Sequence, residues 1–346
     1  MTTTGNGVCG GSRLVLSLGL ALSLALGIAA LGAAAHAADF TMKLGSSSAE
    51  DAESNYLAAM KAAIEPASNG KIEVQLYPRS QLGSQSAMIQ GLQLGTIEGI
   101  HIPADFFAGV DPRMGVLSFP FLFKDRKHAN RVLADPVLSQ KIADMLDSKG
   151  IVGCGPIATA DVRYMLRSGI HKLADFNGKK LRINGTDAER ERFKRVGATS
   201  VAMNLPDMIT ALQNGTIDGS GSGLTIWVNF KLDSVSKELL QIEDTLILSN
   251  CAMSKKWLDT LPPNLRSMVI KESRALFKKG VELTDQYNDI HNKKWEAVGG
   301  KTVQLDPAEQ AEVRAKLATV GQVVTEGKPA LREFYNEVKA VSDRTP

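Results

Sequence analysis

The sequence predicts an α/β protein of two lobes with a cleft between them, and three observations predict it. Runs with strand and helix character alternate from Phe40 to Cys154. The decapeptide Gln90-Gly-Leu-Gln-Leu-Gly-Thr-Ile-Glu-Gly99 is echoed by Thr210-Ala-Leu-Gln-Asn-Gly-Thr-Ile-Asp-Gly219, each reading as a helix end, a glycine stop and a strand. The chain beyond its leader is also too long for one typical core.

Met1 to Ala37 reads as that leader. Arg13 precedes an apolar run from Leu14 to Leu31, and Ala35-His36-Ala37 has the small-x-small form of a cleavage site. The run is also of membrane-anchor length, but the cleavage site and the polar sequence after it favour a secreted, periplasmic protein. Cys9 precedes the apolar run and is therefore no site for lipid at a mature N-terminus. About 309 residues remain. Of the 40 lysines and arginines only Arg13 is lost, against 37 acids, and this near neutrality argues against a nucleic-acid groove. Cys154 and Cys251 either pair, as an oxidising compartment permits, or stay buried thiols.

In order, Phe40–Leu44 alternates as a strand. Ala52–Ile64 places Tyr56, Leu57, Met60 and Ile64 on one helical side. Lys71–Tyr77 is a second strand, Ser84–Leu94 a helix stopped by Gly95, and Ile97–Ile102 a third strand. This β-α-β-α-β order implies a mainly parallel sheet with right-handed crossovers. Phe119–Phe123 is expected under the sheet as core. A helix at Asp135–Lys149 and a strand at Gly150–Cys154 follow.

The second lobe centres on Asp175–Gly223. Lys180–Ile183 is a short strand carrying Arg182 beside an Asn184-Gly185 turn signal. Thr199–Met203 is another strand, Pro206–Asn214 a helix stopped by Gly215, and Thr216–Asp218 a strand running into a small-residue loop, Gly219–Gly223. An arginine at a strand end facing such a loop suits an anion held by guanidinium and backbone N–H groups. The chain returns through Leu246–Met253. Helix is expected from Pro263 to about Val298, from an Asp306-Pro307 start with Glu309 third, and over Lys328–Val341.

Several chemistries are excluded. Gly153-x-Gly155-x-x-Ala158 has the spacing of a dinucleotide fingerprint, but Pro156 sits inside it and a strand follows where a helix is required. The five histidines show no metal-ligand spacing. No nucleophile elbow or Walker A sequence occurs, so neither cofactor nor metal is expected.

Phe176-Asn-Gly-Lys-Lys-Leu-Arg182-Ile183 is similar to the D-L-K-G-L-K-I-R-V segment of solute-binding proteins of TRAP (tripartite ATP-independent periplasmic) transporters. Ala211-Leu-Gln-Asn-Gly-Thr-Ile-Asp-Gly219 resembles that family's A-L-Q-x-G-x-V-D-G. Tyr77-Pro78-x-x-Gln81-Leu82-Gly83, Gln93–Ile97 and Phe119–Phe123 agree in order and spacing. The resemblance covers roughly Asp39 to Pro262. It implies a periplasmic-binding-protein-like fold, with two mixed sheets flanked by helices and a long helix bracing both lobes. The order of elements along the chain puts lobe I at 38–160 plus 246–290 and lobe II at 161–245 plus 291–346, with a hinge expected near 155–161 and 245–250.

The same resemblance implies a binding protein, not an enzyme. It would act as a monomer, capture a small organic acid and pass it to membrane permease subunits. Arg182 matches the carboxylate-binding arginine. Arg163 matches a second ligand-facing arginine, without the glycine that usually precedes it. Ser222 replaces an asparagine that helps hold the carboxylate, Leu205 replaces an aromatic wall, and Asp207 shortens a glutamate. Gln85, Ser47 and Pro103 match first-lobe positions that line the cleft. Trp227 either restores the aromatic surface or belongs to the core. Hydroxy, keto, sugar and aromatic acids all fit. The competing readings are an enzyme acting on such acids, the binder of an ATP-driven importer, and a sensor input domain, for which no signalling partner is expected after Pro346.

Overall fold

The computed structural model describes residues 38–346; the leader expected at Met1–Ala37 lies outside the described residues. The chain opens with β1 (Phe40–Ser46), α1 (Ala52–Ala67), β2 (Ile72–Tyr77), α2 (Gln85–Leu94) and β3 (Gly99–Pro103). Local chemistry sets these boundaries. The Asp51 carboxylate accepts from the Ser54 N–H and caps α1. Ser84 caps α2, and Gly95 ends it at φ 77°, a conformation that costs glycine little. Two 3-10 turns (Ala104–Gly109 and Pro112–Ser118) lead to α3 (Arg126–Leu133), α4 (Pro136–Asp144) and β4 (Ile151–Asp161).

After Val162 come β5 (Arg163–Leu166), β6 (Lys180–Ile183), α5 (Asp187–Arg195), β7 (Thr199–Ala202), α6 (Leu205–Asn214), β8 (Gly219–Ser222), α7 (Leu224–Asn229) and β9 (Glu238–Gln241). Then follow β10 (Leu246–Ser254), α8 (Lys255–Leu258), α9 (Pro263–Ala275), α10 (Phe277–Ala297), β11 (Lys301–Gln304), α11 (Pro307–Leu317), α12 (Val320–Val324) and α13 (Pro329–Arg344).

Two mixed sheets result, as expected. The first has the order β2-β1-β3-β10-β4 and the second β11-β9-β5-β8-β6-β7. β1 runs parallel to β2 and β3, while β10 is antiparallel to β3 and β4. Met42, Leu44, Met60 and Ile64 are fully buried between α1 and the first sheet, each contributing about 1.5–3 kcal/mol. Cys154 and Cys251 form a disulfide between β4 and β10.

β4 and β10 also carry the chain between the sheets. β4 ends at Asp161 and β5 begins at Arg163; β10 begins just after β9, and Leu246 lies opposite Asp161. α10 packs against α1 and β4 on one side and α7 on the other, and so braces both sheets.

Two expectations need correction. Gly219–Ser222 is not a loop but β8 itself, between β5 and β6, while Thr216–Asp218 turns into it. The small residues serve close approach: a Cβ on Gly219 would lie 2.3 Å from the Met165 carbonyl oxygen, and one on Gly221 would lie 2.6 Å from the Tyr164 ring. The last helix, expected with lobe II, docks instead beside α3. His128 Nε2 lies 3.1 Å from the Ser342 carbonyl, and the Ser342 hydroxyl donates to the Leu122 carbonyl. Its apolar stripe, with Leu331, Phe334 and Val338 buried, found its complement on the first-lobe side.

Candidate functional site

Between the sheets lies a cavity of about 620 Å³, its open mouth included. α1, α2 and β3 supply one wall, β6, α6 and β8 the opposite wall, and the crossing strands β4 and β10 the floor, through Thr159 and Ile247. Hydrogen bonds bridge the walls at four places. The Leu205 N–H donates to Gln85 Oε1 (3.2 Å) and the Ser86 hydroxyl to Asn204 Oδ1 (3.2 Å). Asn229 Nδ2 donates to the Ala49 carbonyl (2.6 Å) and Asn184 Nδ2 to Asp105 Oδ2 (3.1 Å). The cleft is therefore seen closed.

Arg182 is the one cation on the cavity wall among the described residues. β6 fixes its backbone between β7 and β8. Its Nε donates to the Met203 carbonyl (2.9 Å), and its guanidinium carbon lies 5.8 Å from the Phe106 ring centre. Among the described residues its other two nitrogens meet no acceptor, and no carboxylate forms an ion pair with it. Only 4% of the residue is exposed. Burial presses its pKa down to about 10, although Glu189 and Asp105 act to raise it. A guanidinium held by one nitrogen, with the others free toward a cavity, can grip a planar anion at two points.

Six of the nine expected residues meet at this cavity: Arg182, Ser222, Gln85, Leu205, Ser47 and Pro103. Gln85 also spends its side-chain oxygen on the bridge to Leu205. The other three are elsewhere. Arg163 stands two strands from Arg182, roughly 10 Å by ordinary strand spacing. It turns away to Asn292 Oδ1 on α10 (2.9 Å) and Thr302 on β11 (3.3 Å). Asp207 is exposed on the first turn of α6. Trp227 is fully buried among Met208, Leu212 and Trp295 and belongs to the core. The aromatic surface on the cavity comes instead from Phe106, across the cleft.

Sequence reasoning missed the acids. Asp51 and Glu53 both line the cavity. A signal was present: Glu53 continues the inward stripe of Leu57, Met60 and Ile64 at helical spacing, where an acid is out of place.

Two sheets joined by paired strands, with a cavity between them that a buried arginine lines, form the bilobal architecture of a solute-binding protein. Residues 45–327 match the DctP family model, "bacterial extracellular solute-binding protein, family 7". The chain belongs to this family, whose members in TRAP transporters bind solutes for membrane partners. It is 28% identical to the 2,3-diketo-L-gulonate-binding periplasmic protein YiaO of Escherichia coli over 70% of this chain and 75% of that one. It is also 28% identical to the C4-dicarboxylate-binding periplasmic protein DctP of Rhodobacter capsulatus over 78% of each chain. A TRAP periplasmic solute-binding protein from Xanthobacter autotrophicus Py2, solved with bound β-D-galacturonate, superposes with a TM-score of 0.79 at 25% identity, over 86% of this chain and 99% of that one. Among the described residues no helix is long and apolar enough to cross a membrane.

Proposed function

We propose that this protein captures a small organic acid in the periplasm, through a two-point contact between Arg182 and the ligand carboxylate and closure of the two lobes, and delivers it to the membrane permease of its transporter. The observation that carries this reading is Arg182: a buried guanidinium beside a cavity, with two nitrogens that meet no protein acceptor. A carboxylate matches the geometry of these two donors. Closure takes the pair out of water and strengthens it. The hydrogen bonds across the cleft support closure as the bound geometry. The relatives' ligands, a diketogulonate, C4-dicarboxylates and galacturonate, are all acids. The disulfide suits an oxidising compartment, and with the leader it supports export, with the mature chain starting at or near Ala38.

The test is calorimetric titration of wild type and Arg182→Ala with D-galacturonate and related acids. Two charge-assisted hydrogen bonds are lost, at roughly 1.5–3 kcal/mol each, so affinity is expected to fall by a factor of about a hundred or more. Arg182→Lys is expected to restore little, because an ammonium lacks the planar fork. Binding by Arg182→Ala within about threefold of wild type would mean the anion is held elsewhere.

A further inference from the structure

Arg182 accounts for one end of a ligand; the wall facing it decides what the other end can be. We propose that Glu53, with Asp51 beside it, is the specificity-determining wall, which accepts the hydroxyl groups of a sugar monocarboxylate and rejects a second carboxylate. The inference rests on Arg182 holding the first carboxylate.

α1 points its first turn at the cavity, so both acids reach the lining. Asp51 is committed to the Ser54 backbone and hydroxyl as a helix cap. Glu53 Oε1 accepts from the Ser249 hydroxyl (2.5 Å), which also meets the Thr159 hydroxyl (3.0 Å). Glu53 Oε2 has no protein partner among the described residues. The acid thus presents one oxygen to the cavity from a fixed position.

The charged and titratable groups around it are few. Asp51 stands at the head of the same helix. His101 on β3 places Nδ1 3.4 Å from the Glu53 carbonyl. His291 on α10 acts on Asp51. Arg182 stands on the opposite wall. None forms an ion pair with Glu53. Burial, then the charge of Asp51, push Glu53 up to about 8, while the Ser249 hydrogen bond works the other way. His101 is buried and held neutral, down to about 4. At neutral pH Glu53 is therefore a carboxylic acid, a donor to a ligand hydroxyl or ring oxygen as well as an acceptor. A second ligand carboxylate would enter a cavity whose single cation is already engaged, beside two acids. A buried anion with no countercharge, offered at most the single Glu53 proton, is strongly disfavoured.

The experiment is calorimetric titration with D-galactonate, with galactarate (the same skeleton carrying a second carboxylate) and with hexanoate, which has no hydroxyls. Wild type is expected to bind galactonate about tenfold or more tightly than either at pH 7. Its galactonate affinity should fall about tenfold between pH 7 and pH 9 as Glu53 ionises. Glu53→Gln should bind galactonate about fivefold more weakly at pH 7 but equally at both pH values, because the amide donates and does not titrate. Galactarate bound as tightly as galactonate, a Glu53→Gln profile that falls like wild type's, or wild type binding none of the three would overturn the inference. Arg182→Ala separates the two readings. If it abolishes binding while wild type treats galactonate and galactarate alike, the arginine contact stands and the Glu53 wall falls. If it leaves binding untouched, the anion site itself is misplaced.

Discussion

Arg182 and Arg192 lie ten residues apart in the second lobe, both nearly buried, and their surroundings could hardly differ more. Arg192, on α5, donates from Nε and a terminal nitrogen to Asp244 Oδ2 at 2.9 and 2.5 Å. It also donates to the Tyr164 hydroxyl, which in turn donates to Asp244 Oδ1 (3.1 Å). Burial is the largest influence and opposes its charge, but Asp244, Tyr164 and Glu189 together hold its pKa above the usual arginine value. Arg182 has one backbone carbonyl and a cavity. Asp244 stands between β9 and β10, so the Arg192 cluster pins a chain crossing to the second lobe. One buried charge is satisfied by its own fold and serves architecture. The other, on the function proposed above, is met by the ligand. Burial alone marks neither; what decides is whether the partner is present.

The largest effect should come from breaking the satisfied pair. Asp244→Ala leaves Arg192 buried without its carboxylate and should destabilise the protein by about 3–5 kcal/mol, measured as a lower denaturation midpoint. If Asp244→Ala unfolds at the wild-type midpoint, the two arginines are not different in kind.

Arg182→Ala sharpens the contrast from the other side. It removes a buried charge that has no ion pair, so ligand-free stability should not fall, whereas the rise in Tm on adding ligand should vanish. A drop of several degrees without ligand would assign Arg182 to the fold. The smallest effect tests closure. Asn229 does not line the cavity, and Asn229→Ala deletes its hydrogen bond to Ala49 across the cleft together with the contact of its Oδ1 with His291 Nε2 (3.3 Å). The loss of about 1 kcal/mol from the bridge should weaken binding by about fivefold. Unaltered affinity would remove that bridge from the closing mechanism.

The outline of the site was legible in the chain because its carriers are local. Strand β6 and its arginine, the glycine stops and the Asp306 cap depend on neighbours within a turn, and they stand where expected. Arg163 was not legible in the same way. A strand position fixes where a side chain starts, but Asn292 and Thr302, over a hundred residues away, decide where a long side chain ends. Glycine and serine in the 219–222 run speak for a loop by propensity, yet sheet packing selected them for their lack of bulk.

The sequence by itself determined that the chain would build two α/β lobes and set an arginine on a central strand. Periodicity, caps and turn residues act over a few positions, and a repeated plan needs no distant information to be read. Only the tertiary structure decided that Glu53 faces Arg182 across a cavity, that Trp227 turns inward while Phe106 supplies the aromatic surface, and that Arg192 rather than Arg182 receives Asp244. Those outcomes depend on which charges find partners once segments far apart in the chain are brought together and water is removed. In a low-dielectric interior that pairing costs or contributes several kcal/mol, and no local pattern of residues records it.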